Sequence, residues 1–209
     1  MSELLQLTFW ATFLSAAVRT AIPILCASIG EDISEKAGII NVGLEAVMLV
    51  GAFFGFAAAY LTHSLFWGFG MLAGMLLSLL HAFLSVYLKQ DQNVAGVALN
   101  LLATGLTSYI FQLMVNRYGI PQIETLKSVP IPLLSKIPLI GDALFHKDIV
   151  VYFSYLLVVF LVSYYKKTIW GMSLCAVGEN PRAADAVGIS VYKNQYMAAA
   201  VNGLLGGLG

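Results

Sequence analysis

Five long apolar runs, at roughly residues 4–30, 37–61, 65–88, 93–115 and 149–165, constrain this chain more than any other feature. A helix needs about 20 mostly apolar residues to cross the hydrocarbon core of a bilayer. Runs of this length, repeated, place a chain in lipid rather than in water. Composition agrees, since 59% of the 209 residues are hydrophobic and 11% charged, whereas soluble domains carry about a quarter charged residues. The predicted fold class is an all-α polytopic membrane protein. A sixth run begins near Gln195 and stops at Gly209, so about six or more membrane helices are expected. A run cut off inside a span further predicts a single transmembrane domain over 1–209 that is truncated at its C-terminus.

The first run lacks the basic start and small-residue cleavage site of a signal peptide and reads as retained. Eleven basic and eleven acidic residues balance to a formal charge of zero, which gives no footprint for nucleic acid and no polybasic anchor. Cys26 and Cys175 are far apart, without a CxxC motif, and read as free thiols. His81 stands alone among Leu and Phe and reads as a packing group; His63 and His146 fall in loops. No nucleophile, base, paired-carboxylate or metal-ligand pattern emerges, so neither a catalytic site, a metal nor a cofactor is expected.

Arg19 interrupts the first run, and Pro23 removes a backbone donor soon after it. An arginine at the centre of a membrane helix costs about 2.5–3.5 kcal/mol on insertion scales. The expected arrangement is a helix near 4–18, then a shorter broken segment over 20–29, with Arg19 at the bend or facing the protein interior. Two loops are long enough to report orientation. Residues 116–148 carry Arg117, Lys127, Lys136 and Lys147, and residues 166–195 carry Lys166, Lys167, Arg182 and Lys193, so the positive-inside comparison is tied. The abutting Lys166 and Lys167, followed by Trp170, weigh toward a cytoplasmic 166–195 and an extracytoplasmic 116–148, whose prolines include Pro121.

The second of these loops contains the most polar passage of the chain, GMSLCAVGENPRAADAVGIS at 171–190. Asn180 followed by Pro181 predicts a helix N-cap and first residue, and Gly188 a left-handed C-cap. The helix between them, residues 181–187, is too short to stand alone, since isolated helices under about 12–15 residues are marginal in water. It must dock against something, or serve only as a well-capped linker. Ala183, Ala184 and Ala186 would admit a close backbone, while Arg182 and Asp185 are spaced to pair with each other or with a partner.

The order Gly171, Ala176-Val177-Gly178-Glu179-Asn180-Pro181, Ala183-Ala184, Val187-Gly188-Ile189 resembles the cytoplasmic coupling loop of ABC-transporter permeases of the simple-sugar and nucleoside branch. GEDISEKAGIINVGLEAVMLVGAFFGF at 30–56 and DQNVAGVALNLLATGLTSYIF at 91–111 are similar to the nucleoside type, and the resemblance runs from about Arg19 to Gly209. It implies a multi-pass permease of the bacterial plasma membrane, with Glu179, Asn180, Pro181, Arg182, Ala183, Ala184, Asp185 and Gly188 meeting an ATPase. It also places 166–195 in the cytoplasm. The implied partners are a cytoplasmic ATP-binding subunit, a second permease copy or paralogue and an extracytoplasmic solute-binding protein, in contact with membrane lipid and without nucleic acid. One departure is that Met172-Ser173-Leu174-Cys175 stand where basic residues are common. An ionic contact to the ATPase is therefore missing or replaced.

Polar groups inside the runs supply the candidate path. Asn41 and Glu45 are spaced to share one helical face, with Gly38 and Gly43 admitting close neighbours. A carboxylate in lipid faces a cavity or a partner. The pair either lines the route of a nucleoside or sugar or forms an internal lock, with Glu45 paired to Arg19. Asn93, Gly96, Asn100, Thr104 and Thr107 form a stripe in the fourth run. They read either as hydrogen bonds between helices, worth about 1 kcal/mol or less each, or as uncharged donors and acceptors along the path. Asn41, Glu45, Asn93, Asn100 and Thr104 are the candidate path residues. An ion-gradient-driven transporter or channel is the alternative, although the capped helix would then have no purpose. An intramembrane enzyme would need a catalytic set that this sequence does not display.

Overall fold

The computed structural model describes residues 7–62, 68–119, 128–131, 141 and 144–209. His63, Pro121, Lys127 and Lys136 lie outside the described residues. The apolar runs form α1 (Leu7–Lys36), α2 (Leu44–Thr62), α3 (Gly68–Ala82), α4 (Gln92–Tyr118) and, after two short paired strands, α5 (Ile149–Lys167). The strands are β1 (Val129–Pro130) and β2 (His146–Lys147), antiparallel. Three further helices follow: α6 (Ile169–Glu179), α7 (Pro181–Ala186) and α8 (Val191–Leu208). A π-helical turn, Phe83–Tyr87, extends α3.

Five described segments are long and apolar enough to cross a membrane: Phe9–Lys36, Leu44–Thr62, Gly68–Tyr87, Gln92–Tyr118 and Ile149–Lys167. The sixth apolar run, α8, has 18 residues and is not among those five. It packs as a central post against α1, α2 and α3. Glycine permits this closeness. A Cβ on Gly51 would lie 2.5 Å from the Gly207 Cα, and one on Gly70 would lie 2.6 Å from the Gly51 carbonyl oxygen. Without water-driven burial between helices, such backbone contact supplies the van der Waals attraction that holds a membrane bundle together.

The expected break at Arg19 does not occur: α1 is one 30-residue helix with Pro23 inside it. In lipid a chain leaving the helix exposes several backbone groups, whereas a helical proline forfeits one bond, so helix continues through it. Arg19 does not face the interior. Its guanidinium lies 3.8 Å from Asp148, just before α5, and its side chain is 70% exposed. One turn earlier on α1, Ser15 accepts Lys147 Nζ on its carbonyl at 2.8 Å and on its hydroxyl at 2.5 Å. These contacts align Ser15 and Arg19 of α1 with the end of the bundle that carries the β-hairpin. A 30-residue helix is about 45 Å long, against a hydrocarbon core of about 30 Å, and the contact with Asp148 sets Arg19 level with the start of α5.

At the opposite end, Tyr165 near the close of α5 donates to Asp32 of α1 at 2.8 Å. Back at the hairpin end, the Tyr60 hydroxyl donates to the Tyr118 carbonyl at 3.3 Å, which brings the ends of α2 and α4 together. Successive spans therefore alternate between a hairpin end and an elbow end, the latter formed by α6 and α7.

Candidate functional site

The elbow end is built from its caps. The Asn180 side chain accepts the Ala183 N–H at 3.1 Å, with Pro181 in the first helical turn. Gly188 sits at φ +87°, its N–H donating to the Asp185 carbonyl at 2.9 Å while the Ile189 N–H donates to the Ala184 carbonyl at 3.0 Å. These two bonds form the Schellman arrangement that closes a helix. Of α7 only Ala184 is buried, against its own chain; Arg182, Ala183, Asp185 and Ala186 face outward. Among the described residues no ion pair joins Arg182 to Asp185. Met172-Ser173-Leu174-Cys175 lie inside α6, which puts Leu174 into the core beside Ile33 of α1.

Gly178, one turn before α7, rests on the end of α1. A Cβ there would collide with the Lys36 carbonyl, and Gly38, at φ +82°, lies against the Gly178 Cα. The turn 37–43 that begins at this contact ends on a buried polar hub. Glu31 Oε1 accepts the Asn41 N–H at 2.6 Å, and Oε2 accepts Asn202 Nδ2, also at 2.6 Å. Asn41 Oδ1 accepts the Gly43 N–H at 3.0 Å, and the Asn41 carbonyl accepts Leu44 N–H at 3.1 Å. Asn41 therefore starts α2 from within the preceding turn. Asn41 Nδ2, Asn202 Oδ1 and Ser34 Oγ are buried without a hydrogen-bond partner among the described residues.

Two expectations about the second run are thereby corrected. Asn41 and Glu45 do not share a helical face, because α2 begins only at Leu44. Glu45 does not lock onto Arg19, which faces Asp148. Glu45 is exposed in the first turn of α2, where the helix dipole favours a carboxylate. Glu31 and Asn202 were not singled out from the sequence. Asn202 carried a usable signal, an amide inside the apolar stretch AAAVNGLLGGL.

α2 and α4 run side by side. Gly96 is packed against Gly43, and Asn100 lies beside the start of α2. Its Oδ1 accepts the Ala46 N–H at 2.8 Å, and its Nδ2 donates to the Val42 carbonyl at 3.2 Å. Asn100 thus satisfies one of the free donors in α2's first turn, the helix-joining alternative of the two. Thr104 and Thr107 bond back to the carbonyls of Asn100 and Ala103 at 2.8 and 2.7 Å. Asn93 lies in the first turn of α4 beside the Asp91 cap, at the elbow end. Gly96 and Thr107 are buried, while Asn93 and Thr104 are exposed.

Asn41, Glu45, Asn93, Asn100 and Thr104 are not among the residues lining the two grooves formed by the described parts of α2, α3 and α4. One groove, of about 300 Å³, runs between α2 and α4, lined by Leu49, Ala52, Phe56, Thr107, Ser108 and Phe111 among others. Glu45 lies one turn before Leu49 on the same face. Toward the hairpin end the groove passes an aromatic ladder: Phe56 and Phe111 rings are 5.7 Å apart, Phe56 and Tyr60 6.5 Å, and Tyr60 and Tyr118 6.3 Å. The neighbouring groove between α2, α3 and α4, about 530 Å³, is apolar apart from Thr107 and offers a polar solute little. His81 is buried, with Nε2 3.2 Å from the Gln92 carbonyl, a satisfied packing group as expected. Cys26 and Cys175 are free.

Residues 13–209 match the family described as the permease component of branched-chain amino acid transport systems. The chain is 36% identical over 224 aligned residues to the guanosine ABC transporter permease protein NupQ of Bacillus subtilis, covering 99% of this chain and 66% of that protein. It is 38% identical to the nucleoside ABC transporter permease protein NupC of Lactococcus lactis, covering 90% of this chain and 62% of the relative. It is also 38% identical to the ABC transporter permease protein TsgC13 of Haloferax volcanii, whose name gives glucose, over 94% of this chain and 60% of that one. The chain thus spans about two thirds or less of these relatives' length. No solved structure matches it significantly.

Proposed function

This chain belongs to the permease-component family of branched-chain amino acid transport systems, a multi-pass protein of the cell membrane, and on that premise we propose that it lines the pathway of an ATP-driven importer for nucleosides or simple sugars. The observation that carries the reading is α7: a helix of six residues, capped at both ends, with all but Ala184 turned outward. So short a helix needs a partner surface, and a cytoplasmic ATP-binding subunit supplies one. Hydrolysis takes place on that subunit. A second permease copy or paralogue completes the pathway, and an extracytoplasmic solute-binding protein delivers the solute. In this arrangement residues 166–195 face the cytoplasm and 116–148 the outside.

Coupling runs through contacts rather than through a reacting group. Closure of the ATPase moves α7 and α6, Gly178 presses on the end of α1, and the 37–43 turn passes the displacement to Asn41. Glu31 ties that turn to α8 through Asn202. The groove between α2 and α4 lies on helices attached to this hub, so its two states are biased from the elbow. Glu45, Thr104 and Ser108 provide hydrogen-bonding groups beside it. Phe56 and Phe111, tilted 56° to each other, each present a ring face of the kind on which a nucleobase stacks. Asn41 and Asn100 act by positioning α2, and Asn93 stands at the inner mouth.

Radiolabelled uptake by the reconstituted complex, with a panel of nucleosides and sugars, tests the proposal. ATP-dependent uptake of a nucleoside or sugar is expected. Uptake that persists without ATP and follows an ion gradient overturns it.

A further inference from the structure

A second groove, of about 400 Å³, opens beside the elbow between α1, α5, α6 and the start of α8. Its floor is apolar, with Ile33, Tyr164, Leu174 and Val201 among its residues, and its mouth carries Ser190, Lys193 and Asn194. Lys193 Nζ stands 5.9 Å from the centre of the Trp170 ring. Asn194 donates its amide to the Ser190 carbonyl at 2.9 Å, and the Ser190 hydroxyl caps no backbone amide.

The surroundings indicate what this groove meets. It lies where α5 ends in Lys166 and Lys167, the boundary of a membrane span. Ile169 is 77% and Trp170 63% exposed, apolar and amphipathic side chains of the sort that sit at headgroup depth. Among the described residues no carboxylate pairs with Lys166, Lys167 or Lys193. The nearby acids are otherwise placed: Asp32 accepts the Tyr165 hydroxyl, and none of Glu35, Glu179 and Asp185 lines the groove.

We infer that this groove binds an anionic phospholipid, with the headgroup phosphate at Lys193 and Ser190 and an acyl chain along the apolar floor beside Trp170. Charge complementarity selects the occupant, because an apolar trough with a cationic mouth at interface depth fits one molecule that is acidic at one end and oily at the other. The inference rests on the membrane-spanning arrangement. It does not depend on which solute is transported.

The chain contains three tryptophans, Trp10, Trp67 and Trp170. With Trp10→Phe and Trp67→Phe in place, Trp170 fluorescence is measured in vesicles of phosphatidylcholine containing either brominated phosphatidylglycerol or brominated phosphatidylcholine. The brominated anionic lipid is expected to quench at the lower mole fraction. Lys193→Gln should weaken that preference roughly fivefold, the contribution of one basic residue near an anionic surface, and Lys193→Arg should keep it, with helical circular dichroism unchanged in both. Equal quenching by the two lipids, or a preference that a folded Lys193→Gln variant retains, overturns the inference. Weakened co-purification of the ATP-binding subunit with lipid preference intact overturns it too and assigns the groove to the protein partner. Because the readout needs no uptake, failure of the transport reading leaves this test standing.

Discussion

Glu31 of α1 and Asn202 of α8, 171 residues apart in sequence, share a 2.6 Å hydrogen bond inside the bundle. The same carboxylate holds the backbone of Asn41, so one side chain joins α1, the turn before α2 and α8. Hydrogen bonds to a charged group contribute about 1.5–3 kcal/mol each. In a double-mutant cycle of Glu31→Gln and Asn202→Leu, followed by thermal unfolding in nanodiscs, the coupling energy is expected to be about 1–3 kcal/mol. A coupling near zero would show that the two side chains act independently. Uptake should fall in both single variants even where the protein remains folded.

Gly178→Val tests the contact between elbow and α1. Its side chain would meet the Lys36 carbonyl, and overpacking of this kind costs about 1–3 kcal/mol. The expected result is retained ATPase co-purification with reduced uptake, since the docking face of α7 is untouched. Loss of co-purification with uptake per assembled complex unchanged would contradict the proposed route.

Docking by α7 is best probed on its outward face. Ala184 is buried against the chain itself, so Ala184→Arg would damage the elbow and report nothing about a partner. Ala183→Arg and Ala186→Arg should instead reduce co-purification of the ATP-binding subunit by tenfold or more while leaving the helical content unchanged, on the order of one lost interface contact worth about 1.4 kcal/mol. Unchanged co-purification and uptake in both variants would remove the docking proposal. Asn180→Ala should weaken docking indirectly, through loss of a cap worth about 1 kcal/mol.

Packing and path roles separate between Asn100 and Thr104. Asn100→Leu leaves the Ala46 N–H and Val42 carbonyl without their partners, so a loss of about 1–3 kcal/mol in stability is expected, with substrate preference unaltered among the molecules that still assemble. Thr104→Val, Ser108→Ala and Phe111→Ala should leave unfolding nearly unchanged and alter competition between nucleosides and sugars in the uptake assay. Identical competition profiles for all three variants would exclude the α2/α4 groove as the path.

The sequence by itself determined the parts of this protein that depend on local chemistry. Run length and hydropathy specified five spans, though not the sixth that was expected, because the bilayer demands a fixed apolar length whatever the neighbours are. Asn180, Pro181 and Gly188 specified α7, because capping acts over one turn of backbone. Tertiary structure decided where each polar side chain points. Arg19 stands level with the start of α5, a fact visible only once Asp148 is beside it and Lys147 is bonded to Ser15 one turn away. Asn41 left the helix that its spacing to Glu45 suggested because Glu31 and Gly43 hold it in a turn. Asn100 was legible as polar, but its commitment to the start of α2 required knowing that α2 and α4 touch at Gly43 and Gly96. The hub itself joins residues from the two ends of the sequence, and such a bond leaves no periodic trace in either helix.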